Sequence, residues 1–196
     1  MPPDTLVIML KVPRPGRVKT RLAAGLGVIP ATWWFRHQTS RLLRNLAYDC
    51  RWQTVLAVSP DFEGLNSRVW PINIARSRQG GGDLGKRMRR QFSRFAPGRV
   101  VIIGADIPDI RSHHISSAFK CLAANEAVIG PAPDGGYWLL GLSLKSPVLP
   151  NKLLENVRWS TEFARRDTLK SLGTLRVATL ETLQDVDTVQ DLKDAN

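Results

Sequence analysis

Apolar positions along the chain alternate between two patterns. Short runs such as Thr5–Leu10 (TLVIML), Thr54–Val58 (TVLAV) and Arg99–Ile103 (RVVII) are almost continuously apolar and end in charged, glycine or proline residues. Runs of that length bounded by turn signals predict buried strands. Trp70–Ile74, Ala127–Gly130, Tyr137–Leu142 and Leu175–Leu180 read as further strands. Between them lie stretches with helical spacing. One opens at Pro30 and carries Phe35, Leu42 and Leu46; others cover Leu84–Phe95, Ser112–Ala124, Ser160–Leu172 and Val189–Ala195. Ser160 is a candidate N-cap and Gly173 a candidate stop. Strands alternating with helices predict an α/β fold with a mostly parallel sheet covered on both faces. With no composition break or repeat, residues 1–196 read as one domain.

In such sheets ligands bind beyond the carboxyl ends of the strands. Four segments there carry charge or glycine. The first is Lys11-Val12-Pro13-Arg14-Pro15-Gly16-Arg17-Val18-Lys19-Thr20-Arg21. Prolines and a glycine can hold such a loop close to a diphosphate, with Arg and Lys as its counter-charges. It is not a P-loop, because Val18 rather than glycine precedes Lys19. The second is Gln79-Gly80-Gly81-Gly82-Asp83-Leu84, a glycine run entering a helix, which suits an anion or a base unless Asp83 simply caps that helix. In the third, Asp106 follows a buried strand within Gly104-Ala105-Asp106-Ile107-Pro108, a position suited to Mg²⁺ or Mn²⁺. Asp187, in Asp185-Val186-Asp187-Thr188, offers a second carboxylate, unless it and Asp191 cap the last helix. The fourth, Asp134-Gly135-Gly136-Tyr137-Trp138, allows close backbone approach, with aromatics that stack on a sugar or base or else enter the core.

Charge changes the picture in one respect. Residues 1–99 hold 18 Lys/Arg against 5 Asp/Glu, whereas residues 100–196 hold 10 against 12. The net charge of +11 therefore belongs to the first half and predicts an anionic ligand. A nucleic-acid partner is not expected, because it would leave the Asp-Gly-Gly and Asp-x-Pro segments without a role. Arg36, Arg41, Arg44, Arg89, Arg90 and Arg94 fall outside the basic loop and read as solvated surface. The two cysteines, Cys50 and Cys121, have no metal-ligand spacing and read as buried thiols. The three histidines form no legible constellation. No stretch reaches the length of a membrane span, and the N-terminus lacks a basic leader, so a cytoplasmic protein is expected.

Taken in order, the segments at 11–22, 79–88, 104–110, 130–141 (G-P-x-x-D-G-G-Y-x-L-L-G), 159–161 (W-S-T) and 185–192 (D-V-D-T-x-x-D-L) resemble a group of small bacterial GT-A-like transferases. This group, described as radical-SAM/selenodomain-associated or arsenosugar-cluster glycosyltransferases, is a domain-of-unknown-function family among the nucleotide-diphospho-sugar transferases. The resemblance implies a three-layer α/β/α Rossmann-like fold. It implies that Lys11, Pro13, Gly16, Lys19 and Arg21 cradle phosphates and that Gln79, Gly82 and Leu84 contact the nucleotide. Asp106 and Asp187 would hold the metal, and Asp134, Gly135 and Gly136 would face the sugar or acceptor. The implied activity is glycosyl transfer from a nucleotide-diphospho-sugar to a small acceptor, with Asp106 and Asp134 as the catalytic residues and Asp134 as the candidate base. The first motif and Asp-x-Pro also resemble phospholactate and molybdenum-cofactor guanylyltransferases, which makes nucleotidyl transfer the alternative.

Overall fold

A computed structural model describes residues 3–194. Its elements are β1 (Thr5–Lys11), α1 (Thr20–Leu26), α2 (Val28–Leu46), β2 (Gln53–Ser59), α3 (Asp61–Asn66), β3 (Ala75–Arg78), α4 (Leu84–Phe95), β4 (Gly98–Ile103), α5 (Ser112–Ala124), β5 (Ala127–Pro131), β6 (Tyr137–Leu144), α6 (Ala164–Ser171), β7 (Val177–Thr179) and α7 (Val189–Asp194). The seven strands form one sheet in the order β3-β2-β1-β4-β6-β5-β7. Only β6 runs against the others, pairing antiparallel with β4 and β5. Its first residues, Tyr137 and Trp138, therefore share an edge with the carboxyl ends of the neighbouring strands.

Side-chain alternation along β1 explains the layers. Leu6, Ile8 and Leu10 enter one core with Phe35, Leu42 and Leu46 of α2 and with Ile115, Phe119 and Leu122 of α5. Val7 faces the other way, into a second core with Met88 and Phe92 of α4 and Leu172. The fold is the expected three-layer α/β/α arrangement around a mixed, mostly parallel sheet.

Several local expectations are corrected. Trp70–Ile74 is not a strand: Trp70 and Ile74 are buried from within a turn. The third strand is the polar Ala75–Arg78, an edge strand in which only Ser77 is buried. Arg76 shapes the preceding turn by donating to the carbonyls of Leu65, Ser67, Trp70 and Pro71. Ser160 is not an N-cap. Its φ is 60° and α6 starts at Ala164, after a turn in which the Thr161 hydroxyl accepts from Phe163 N–H at 3.3 Å. Gly173 does end that segment, with φ 62°. The strand expected at Leu175–Leu180 shortens to Val177–Thr179. Ala195, the last residue of the expected final helix, lies outside the described residues. Cys50 is exposed and Cys121 half-buried, both unpaired. Two of the surplus arginines have partners. Arg89 donates to the Leu153 carbonyl at 2.6 Å, and Arg90 donates to the carbonyls of Gln79 and Gly81, holding the glycine run.

Candidate active site

A cleft of about 950 Å³ opens at the carboxyl edge of β1 and β4. The loop after β1 is anchored by buried Val12 and Val18, and Arg14 turns outward to pair with Glu63. The loop then delivers Lys19 in the left-handed conformation, φ 47° and ψ 49°, as the residue leading into α1. Few non-glycine residues sit there, so the position carries local backbone strain. The Lys19 ammonium lies 2.9 Å from Asp106 Oδ2 and 2.6 Å from Asp187 Oδ1. It also sits over the Trp34 ring, 5.8 Å from its centre. Burial lowers the Lys19 pKa, but the Asp106 and Asp187 carboxylates outweigh it and hold the pKa above its ordinary value, so the amine is charged.

Asp106 follows β4 between buried Ala105 and Ile107. Its carbonyl accepts from Val186 N–H at 3.2 Å, docking the 185–187 segment alongside. Val186 is fully buried, so its two neighbours face the cleft together. That places Asp185 beside Asp187, a residue the sequence reading passed over. The i, i+2 carboxylates around an apolar residue were the signal available for it. Oxygens of Asp106, Asp185 and Asp187 lie within 4.8 Å of one another. Burial, and next the charges of Asp187, Asp106 and Asp134, push the Asp185 carboxyl up to about 6, against the pull of Lys19. Three hard oxygen donors with surplus negative charge fit Mg²⁺ or Mn²⁺. Asp191 turns the other way: its carboxylate accepts from Thr188 N–H at 2.7 Å, and its own N–H donates to the Thr188 hydroxyl. This reciprocal cap starts α7 and frees Asp187 for the cleft.

The rest of the cleft is polarised. Lys11, Arg17, Lys19, Arg21 and Arg87 line it from the first half of the chain. From the second half, Asp134, Gly136, Tyr137 and 159–162 bring the carboxylates Asp134 and Glu162, and no Lys or Arg of residues 100–194 lines the cleft among the described residues. Tyr137 and Trp159 meet edge to face there. The Tyr137 hydroxyl turns inward, where it accepts from Thr168, and burial raises its pKa. Trp138 belongs to the core, donating its indole N–H to the Glu181 carbonyl.

Several anticipated ligand residues sit differently. Pro13, Gly16 and Gly135 do not line the cleft. Gln79 reaches it, but its amide N–H₂ donates to the carbonyls of Leu10 (3.1 Å) and Ala57 (2.7 Å), tying the ends of β1 and β2 together. Asp83 caps α4 by accepting from Lys86 N–H, leaving Gly82 and Leu84 at the rim. The Asp134 carboxylate accepts from Gly136 N–H at 2.8 Å through one oxygen, which closes the turn and leaves the other oxygen available. His113, His114 and Glu181 also cluster, 3.0 Å separating His114 Nε2 from Glu181. His114 Nδ1 accepts from Arg111 N–H, so Nε2 carries the proton and is not a metal donor in this arrangement.

Comparison with known proteins agrees with this architecture. A structure from Desulfovibrio desulfuricans G20, provisionally named a nucleotide-diphospho-sugar transferase, superposes with a TM-score of 0.84 at 29% identity, covering 100% of this chain and 87% of that one. The manganese complex of Rv0371c from Mycobacterium tuberculosis H37Rv shares the fold, with a TM-score of 0.56 at 16% identity over 98% of this chain and 97% of that one. A 2-phospho-L-lactate guanylyltransferase of Methanocaldococcus vulcanius is 26% identical over 145 residues, 72% of this chain. The match spans 63% of that relative's length. The fold is that of the nucleotide-diphospho-sugar transferases, and both the Desulfovibrio and the Methanocaldococcus proteins carry the name of a transferase. Residues 42–161 match a family model, and the chain belongs to that family, described as "Uncharacterized protein conserved in bacteria (DUF2064)".

Proposed function

We propose that the protein transfers a glycosyl group from a nucleotide-diphospho-sugar to a small hydroxylic acceptor, with Mg²⁺ or Mn²⁺ as cofactor. The observation that carries this reading is how the cleft lining divides along the chain: all its Lys and Arg come from residues 11–87, whereas the segments at 134–137 and 159–162 bring Asp134, Glu162, Tyr137 and Trp159 with no Lys or Arg. A diphosphate donor suits the cationic residues. An uncharged, hydroxyl-bearing acceptor suits the 134–137 and 159–162 segments, where a phosphorylated one would meet Asp134 and Glu162.

Asp106 and Asp187, with Asp185 beside them, would hold the cation, which when bound neutralises charge on the departing diphosphate. Arg17, Arg21 and Arg87 would bind the phosphates as they gain charge, an electrostatic contribution larger in the leaving state than in the ground state. Lys11 lies at the end of β1 and also lines the cleft. Tyr137 and Trp159 would orient a sugar face, and the free oxygen of Asp134 would take the acceptor's hydroxyl proton.

The second reading, nucleotidyl transfer to a phosphorylated acceptor, is favoured by the match to the guanylyltransferase. The products separate the two. Incubation with Mg²⁺ or Mn²⁺, sugar nucleotides, nucleoside triphosphates and a panel of acceptors should release nucleoside diphosphate. Pyrophosphate release instead would overturn the first reading in favour of the second. Absence of any metal-dependent nucleotide binding would reject both.

A further inference from the structure

We infer that Lys19 is a built-in occupant of the cation seat, so that its ammonium and a divalent cation hold the Asp106–Asp187 pair in turn. This rests on the metal-dependent reading above and adds an exchange step to it. The ammonium makes its two closest contacts, 2.9 and 2.6 Å, with one oxygen of each carboxylate. Those are the groups a divalent cation would need. The side chain is 5% exposed, so it is inserted between the carboxylates rather than resting on them.

Nothing else among the described residues neutralises this cluster as closely. Arg21 approaches Asp187 only to 3.6 Å and is 68% exposed. Without Lys19, three carboxylates with oxygens within 4.8 Å would face one another. Lys19 therefore keeps the seat assembled before any ligand arrives. It cannot share that seat with a second cation, because like charges at contact distance repel strongly where water is scarce.

The backbone position suggests where the ammonium goes. Lys19 stands on the basic loop, at the start of α1, with the open cleft beside it. Its flexible four-carbon stem lets Nζ swing toward a diphosphate without moving the helix. The displaced charge then gains a partner only if a phosphate is present. Metal and nucleotide binding are coupled by this exchange, each being weak without the other.

The test is Mn²⁺ binding, followed by calorimetry on the wild type and Lys19→Met, with and without a nucleoside diphosphate. Lys19→Met should bind Mn²⁺ alone at least about tenfold more tightly than the wild type, and nucleotide should enhance that binding less. Equal or weaker Mn²⁺ binding by the variant would overturn the exchange while leaving the metal reading intact. If neither protein binds Mn²⁺, with or without nucleotide, both the exchange and the metal reading fail.

A wild-type measurement covers the case of a variant that does not fold. Amine-reactive labelling of Lys19 should be slow in chelator and rise several-fold on addition of Mn²⁺. The rise should vanish in Asp106→Asn. Labelling of the wild type that is indifferent to Mn²⁺, under conditions where Mn²⁺ binds, would overturn the proposal.

Discussion

Gly135 lies flush against the backbone of Glu162, so closely that an added Cβ would come within 2.2 Å of the Glu162 carbonyl oxygen. The contact joins the turn after β5 to the segment before α6, and Arg165 N–H donating to the Gly135 carbonyl at 3.0 Å closes it from the other side. The two segments that bring Asp134 and Glu162 to the cleft are thus locked to each other. The residue expected to approach a ligand instead approaches its own chain.

Gly135→Ala should therefore destabilise the fold. The residue has φ 84°, which disfavours any side chain, and the obstacle is backbone rather than a flexible tip. Overpacking of this kind costs about 2–3 kcal/mol. Chemical denaturation would measure it, and wild-type stability in the variant would contradict the contact.

Gln79→Leu separates a structural role from a ligand role. The buried amide ties two strand ends together, and its removal leaves their carbonyls short of a donor at a cost of about 1–3 kcal/mol. Stability should fall by that amount in a denaturant titration. Nucleotide affinity, measured well below the transition, should change less than about threefold, because Gln79 touches the phosphate-binding set only through a long 3.4 Å bond accepted from Arg87. A large loss of affinity in a variant of normal stability would return Gln79 to the ligand set.

How far the sequence disclosed this site depended on the kind of signal. The strands that frame the cleft were legible because Leu6, Ile8, Val101 and Ile103 are buried on a sheet covered on both faces, which leaves continuous apolar runs. The polar edge strand Ala75–Arg78 was not, because only Ser77 enters the core. Nor was α1: Lys19, Thr20 and Arg21 read as basic loop, and the left-handed conformation that launches the helix leaves no mark in residue type. Asp106 and Asp187 stood out by their place after a strand and before a helix. Asp185 shares their cluster only because Val186 is pinned inward by Asp106, a contact between distant segments. The commitment of Gln79 and Gly135 to backbone partners is likewise tertiary.

The Arg158–Asp167 pair should give the fold an acid-sensitive brace. Arg158 donates to Asp167 through Nε at 2.7 Å, another guanidinium N–H at 2.9 Å and its backbone N–H. The side-chain bonds from Arg158, outweighing the upward effect of burial, bring the Asp167 carboxyl from 3.8 down to about 2. The folded state thus binds this proton less readily than the unfolded chain. The pair's contribution is complete above pH 3.8 and is lost as pH falls toward about 2. Asp167→Asn should lower the melting temperature at neutral pH and flatten its fall across that acid window. Parallel acid profiles for the two proteins would contradict the assignment. Residues 159–162 of the cleft wall lie between the two partners, so loosening them should also weaken acceptor binding more than donor binding.

Asp106→Ala is the most direct probe of the cation seat. The backbone carbonyl that docks Val186 remains, and Lys19 keeps Asp187 as a partner, so the fold should persist. What disappears is one of the three oxygen donors. Metal-dependent nucleotide binding should fall at least about 100-fold, whereas metal-independent binding through the basic residues should remain. The neighbouring carboxyl supplies an internal check. Asp106 is among the charges that push Asp185 up to about 6, so its removal should move the Asp185 titration toward 3.8, visible in a carboxyl-resolved NMR titration without metal. Wild-type metal-dependent binding in a variant that shows this titration shift would exclude Asp106 as a metal ligand while leaving the geometry of the cluster intact.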